Sequence, residues 1–126
     1  MIARGLLGGE FRPAASEQDL ITVFEVPFES HLMESEIQPA CHSELGAPLI
    51  VGLPEEFAES VLAGLTDESA GALPAGVLRI DRAGFDMAGS SANTFRDVGR
   101  LLRGVMSALC EGRDPEQTAR EALRSW

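Results

Sequence analysis

Two short runs hold the residue types that metal or acid/base chemistry needs. His31, Glu34 and Glu36 lie together, and Cys41, His42 and Glu44 follow. Residues two apart on a strand share a face. Glu34 and Glu36 would then project together, as would His42 and Glu44. Imidazole and carboxylate groups so placed can hold a divalent ion or pass a proton. The spacing matches no established ligand pattern, and an acidic, solvated strand face explains the same residues. A second polar set is Asp86, Ser90 and Ser91, next to Phe85 and Met87. A serine nucleophile needs a positioned base, and neither histidine is near Ser90 in sequence. No catalytic residue and no cofactor is assigned from the sequence. His31, Glu34, Glu36, His42 and Glu44 stand only as weak metal candidates.

The elements that must position these groups follow from periodicity. Leu20–Phe28 (LITVFEVPF) is β-branched and aromatic, with Leu20, Thr22, Phe24, Val26 and Phe28 on the apolar face of a half-buried strand. Pro27 places its end or an edge there. His31–Glu44 reads as a second strand, irregular near Pro39, with Leu32, Ile37 and Cys41 inward. Gly46–Val51 reads as a turn and a third short strand. Pro54 opens a helix as its first residue, and Glu55 and Glu56 complement its dipole. Phe57, Val61, Leu62 and Leu65 form its apolar stripe.

Thr66–Pro74 is a loop, and Val77, Leu78 and Ile80 make the next strand. Arg82–Gly89 reads as a turn or hairpin tip. Ser90 or Ser91 caps a long helix whose inner face is Phe95, Val98, Leu102, Val105, Met106 and Leu109. Gly99 and Gly104 on that helix point to close approach of another element. Asp114-Pro115-Glu116-Gln117 resembles a capping box that starts a short last helix through Ala119, Ala122, Leu123 and Trp126. Residues 1–18 read as a loose lead-in and 19–126 as one domain.

Composition bounds the function. The 126 residues are 44% hydrophobic and 24% charged, which suits one folded domain. The net charge is −10 and every basic residue is Arg. Nucleic-acid binders rely on clustered cations, so direct nucleic-acid binding is disfavoured, and the charge favours a soluble protein that stays dispersed or one with a basic protein partner. Cys41 and Cys110 read as two reduced, mostly buried thiols, with pairing left open. The start MIARGLLGGEF lacks the apolar core of about 7–15 residues of a secretory signal. No run approaches the roughly 18 apolar residues of a membrane span. The expected location is cytoplasmic, with no membrane partner.

Three motifs in order resemble the fourth domain of the translation elongation factor G family. Leu53-Pro54-Glu55-Glu56-Phe57, continuing to Val61 and Gly64-Leu65, is similar to that family's Pro-Glu-aromatic helix opening. Gly71-Ala72-Leu73-Pro74-Ala75-Gly76-Val77 is similar to its Gly/Pro-rich lead into a strand. Phe85 through Ser90-Ser91 to Phe95 is similar to its tip and second long helix. The resemblance implies an α+β fold: a three- to four-stranded sheet covered by two main helices, a split βαβ with a left-handed crossover, and a short C-terminal helix.

The departures bear on function. Asp86 stands where the family's tip has His, and Gly89 where it has Asp. The segment between Leu65 and Ser90 is shorter, and no GxxxxGK[ST] phosphate loop occurs. An acidic tip would be repelled by RNA phosphate. The leading expectation is thus a non-enzymatic interaction module that uses the tip (Phe85, Asp86, Met87, Ser90, Ser91) or a sheet face with Glu25, Glu34 and Glu36. The alternatives are a ribosome- or translation-associated factor and a small metal-dependent enzyme. A homodimer through a strand edge near Pro27 or the Trp126 helix stays open.

Overall fold

The structure, a computed structural model, describes residues 6–14, 22–25, 50–51, 53–85 and 90–124. Its first element is an eight-residue strand, β1 (Leu6–Pro13), where the sequence reads as a loose lead-in. The strand is hard to see because Leu7, Gly9 and Phe11 share one face and the middle member has no side chain. Leu7 and Phe11 pack on the core, while Glu10 and Arg12 face solvent and pair at 3.1 Å.

Three further strands are β2 (Thr22–Glu25), β3 (Ile50–Val51) and β4 (Gly76–Phe85). The described sheet is four-stranded and mixed around β4. β1 pairs β4 antiparallel, β2 pairs it parallel along Gly76–Arg79, and β3 pairs it antiparallel at Gly84 and Phe85. Phe24 faces the core and Val23 faces solvent, as the alternation in this strand predicts.

Over Arg82–Phe85, β4 corrects the reading as a turn or hairpin tip, because the strand runs on through Phe85; positions 86–89 lie outside the described residues. Gly8 pairs with Arg82 and Gly9 with Ile80, so Asp81 is an extra residue on β4. Such a bulge shifts the side-chain phase by one. Leu78 and Ile80 face inward before it, and Ala83 and Phe85 face inward after it. The break in alternation imitates a turn.

Helix α1 (Glu55–Leu65) and helix α2 (Ala92–Cys110) supply the rest of the core. Pro54 precedes the first turn rather than joining it, and its carbonyl oxygen accepts from the amides of Phe57 and Ala58. The core joins Leu53, Ala58, Val61 and Leu65 to Leu78, Ile80, Phe95 and Met106. Phe57 stacks on Phe95 at 4.8 Å and meets Phe85 edge-on at 6.4 Å. Each buried side chain of this size contributes about 1.5–3 kcal/mol.

The two helices approach closely at two glycines. A Cβ on Gly99 would stand 2.7 Å from the Val61 carbonyl oxygen, and one on Gly64 would strike the Arg96 carbonyl. The close approach expected at Gly99 is thus present. It also narrows the seam. Leu62, expected inward, is 41% exposed, and Ala58 lies inside instead. Leu109, also expected inward, is exposed because the buried stripe of α2 turns through Arg103 and Ser107.

The last helix, α3 (Pro115–Arg124), lies against α2, with Thr118 facing Gly104. Asp114 Oδ1 accepts from the Glu116 amide at 3.0 Å. The Gln117 side chain donates to Glu121 instead of returning to the cap, so the capping box is half made. No described helix is long and apolar enough to cross a membrane.

Candidate functional site

Of the residues expected at a tip, Phe85, Ser90 and Ser91 are described. Phe85 is a core residue, 7% exposed and set against Phe57. Ser91 is the N-cap of α2, where its Oγ accepts from the Thr94 amide at 3.2 Å. Ser90 precedes it and is half-buried. Asp86 and Met87 lie outside the described residues. So do His31, Glu34, Glu36, Cys41, His42 and Glu44, the strand read over His31–Glu44, Pro27, and Trp126. Glu25 is exposed on β2. Among the described residues, no three His, Cys, Asp or Glu side chains come together as a possible metal position.

A polar cluster that sequence reasoning missed lies where α1 ends. Arg103 is on the inner face of α2 and only 7% exposed. Its Nη1 donates to the Leu65 carbonyl oxygen at 2.7 Å, and its Nε donates to the Gly71 carbonyl oxygen at 2.7 Å. The guanidinium also lies 5.8 Å from the centroid of the Phe24 ring, within cation–π range. One side chain thus joins α1, α2, β2 and the loop before β4. Its charge is offset by carbonyl dipoles at a helix C-terminus, where a cation is favoured. The sequence signal was its spacing: Phe95, Gly99 and Arg103 recur every four residues, with Met106 next.

The loop is shaped by its own cap. Asp67 Oδ1 accepts from the Ser69 hydroxyl at 2.6 Å and from the Ser69 amide at 3.0 Å, starting a 3-10 turn over Glu68–Ala70. Those two bonds hold the Asp67 carboxyl below its ordinary range, with Arg100 and Arg103 adding smaller effects in the same direction. Arg100 Nε lies 2.8 Å from Asp67 Oδ2 without a well-directed N–H, so this contact is an ion pair and not a hydrogen bond. The pair is solvated, and such pairs contribute little to stability. Beyond the turn, Gly71 passes directly over buried Ser107. A Cβ at Gly71 would stand 2.7 Å from the Ser107 Cβ.

These groups are suited to structure and not to proton transfer. A guanidinium does not release its proton near neutral pH, and the Arg103 donors serve main-chain oxygens. Asp67 Oδ1 already accepts two hydrogen bonds. Cys110, expected buried, is an exposed free thiol at the end of α2. Desolvation by its surroundings, and then the charge of Glu111, push it above the usual thiol range. That leaves less of the nucleophilic thiolate.

The described surface is acidic in a particular place. Glu55, Glu56 and Glu59 are exposed on α1, a helix with no basic residue. Carboxylates elsewhere that have Arg partners among the described residues include Glu10 with Arg12, Glu111 with Arg113, and Glu116 with Arg120. In comparisons with known proteins, no family model, no curated protein and no solved structure matches this chain.

Proposed function

We infer that this protein is a non-enzymatic interaction module whose partner is a basic protein. The observation that supports this reading is how its polar groups are used. Arg103 and Asp67 are committed to holding the α1–β4 loop, while the carboxylates of α1 face solvent with no cation against them among the described residues. Affinity capture from lysate of the source cells tests it, at low and at moderate salt. A specific basic protein, retained at low salt and weakened by salt, is the expected result. Recovery of only abundant, nonspecific species would overturn the reading.

A second reading keeps a link to translation. It is favoured by where three motifs fall: Pro54 heads α1, Gly76 begins β4, and Ser91 caps α2. The same three motifs carry the resemblance to the elongation factor G fourth domain. In this reading the left-handed crossover of that domain belongs to this fold too. Co-sedimentation with ribosomes at low salt is expected if the link is real. Its absence at low salt would remove the reading.

A further inference from the structure

Val23, Leu62, Leu109 and Leu123 are large apolar side chains that stand in solvent. Isolated exposed apolar residues are ordinary on protein surfaces, so exposure alone selects none of them. Their charged neighbours do. Leu109 is followed by Glu111, which accepts from Arg113 Nε at 2.7 Å. Leu123 lies on α3, where Arg120 donates to Glu116 at 2.6 Å. Both settings are compensated within the chain. Val23 lies on a four-residue strand with a single carboxylate, Glu25.

Leu62 differs. Glu55, Glu59 and Leu62 fall at i, i+4 and i+7 of α1, so they form one outward stripe. Among the described residues, the Glu55, Glu56 and Glu59 carboxylates meet no basic side chain. Glu55 and Glu56 lie in the first turn and are explained by the helix dipole. Glu59 lies beyond that turn and is not. Glu55 and Glu59 also repel each other at i, i+4, a spacing that destabilises a free helix. The stripe therefore sets two like charges beside an apolar side chain and is complementary to a surface that brings cations and an apolar contact.

We propose that the outward stripe of α1, formed by Glu55, Glu59 and Leu62, docks a basic amphipathic segment of a partner protein. Arg or Lys side chains of that segment meet the two carboxylates, and an apolar side chain covers Leu62. A helix laid on such a stripe is a common recognition mode. The net charge of −10 disfavours a second copy of this chain as the occupant. The proposal rests on the interaction-module reading and narrows it to one face and one partner chemistry.

Site-specific photo-cross-linking in the source cells tests it, with a benzophenone amino acid in place of Leu62 and, as control, in place of Leu109. The expected product is an adduct at position 62 to a different protein, through a peptide rich in Lys or Arg, with none at 109. Glu55→Arg with Glu59→Arg should lower the yield about tenfold, while Glu116→Arg with Glu121→Arg leaves it unchanged. If the first pair fails to fold, Glu55→Gln with Glu59→Gln gives the same comparison. An adduct to a second copy of this chain, no adduct, or a yield indifferent to the α1 charges would overturn the proposal. If wild-type protein still captures a specific basic protein in those cases, only this face falls. If it captures none, both readings fall.

Discussion

The Arg103 guanidinium donates to the Leu65 carbonyl oxygen at 2.7 Å, so a side chain of α2 closes the C-terminus of α1. The last carbonyls of a helix have no partner within it. Here Leu62 receives the amide and hydroxyl of Thr66, Gly64 receives the Asp67 amide, and Leu65 receives Arg103. The end of α1 is satisfied only when α2 is docked, which couples the two helices through a polar contact inside an apolar seam.

Removing that contact should be costly. Arg103→Met keeps the stem of the side chain and leaves the Leu65 and Gly71 carbonyls unpaired. A loss of about 3 kcal/mol is expected in urea unfolding. Arg103→Lys keeps the charge but loses the fork that reaches both oxygens, and should lose roughly half as much. A Met variant as stable as wild type would contradict the assigned role.

Gly99→Ala should destabilise, although alanine is the better helix former by about 1 kcal/mol. The new methyl group would stand 2.7 Å from the Val61 carbonyl oxygen, and overpacking of this kind costs about 1–3 kcal/mol. The sign of the change in unfolding midpoint is diagnostic. A gain in stability would mean the helices do not cross here as closely as described.

Phe85→Ala separates a core position from a surface tip. As a buried ring against Phe57, Phe85 should cost about 3–5 kcal/mol on truncation. An exposed tip residue would cost almost nothing. Thermal unfolding of the single variant distinguishes the two.

Asp67 predicts a pH dependence. Its folded carboxyl is held below the ordinary range, first by the Ser69 hydroxyl. A depressed folded value means the ionised form is favoured on folding. Its contribution is fully present above the ordinary carboxylate range and is lost as pH falls through the folded value. Asp67→Asn can still cap the turn but cannot ionise. The stability difference between wild type and Asp67→Asn should therefore shrink as pH is lowered from 7 towards 3. A difference that does not change with pH would contradict the assignment.

Cys110 should alkylate slowly for an exposed thiol. Desolvation and Glu111 both raise its titration point, so less thiolate is present at neutral pH. Site-resolved mass spectrometry after brief iodoacetamide treatment should show lower modification at Cys110 in folded than in unfolded protein. Glu111→Gln should raise the folded rate. Equal rates would overturn the prediction.

What could be read from the sequence depended on side chains that carry a pattern. The Pro54 opening of α1, the inward face of Phe24 and the serine cap of α2 were legible, because each rests on local rules of conformation and capping. β1 was not, since Gly9 occupies an inward position without a side chain to mark it. The second half of β4 was hidden by Asp81, whose insertion breaks the alternation by one residue. The role of Arg103 was not legible, because its partners are main-chain oxygens that no residue type announces. The carboxylates of α1 were legible as a dipole match. The exposure of Leu62 beside Glu59 was not, because it follows from how tightly Gly64 and Gly99 bring the helices together.

The order in which the chain emerges during synthesis gives the sheet a particular history. β4 is central and pairs with all three other described strands, yet it is the last of them in sequence. β1, β2 and β3 leave the ribosome before their common partner exists. Until Gly76–Phe85 appears, their backbone donors and acceptors are open to water and to neighbouring chains, and pairing at this sequence distance is slow. The local unit of α1, β4 and α2 can form first and then recruit the earlier strands. A nascent chain halted just before β4 would therefore be the form most exposed to aggregation and most in need of a chaperone.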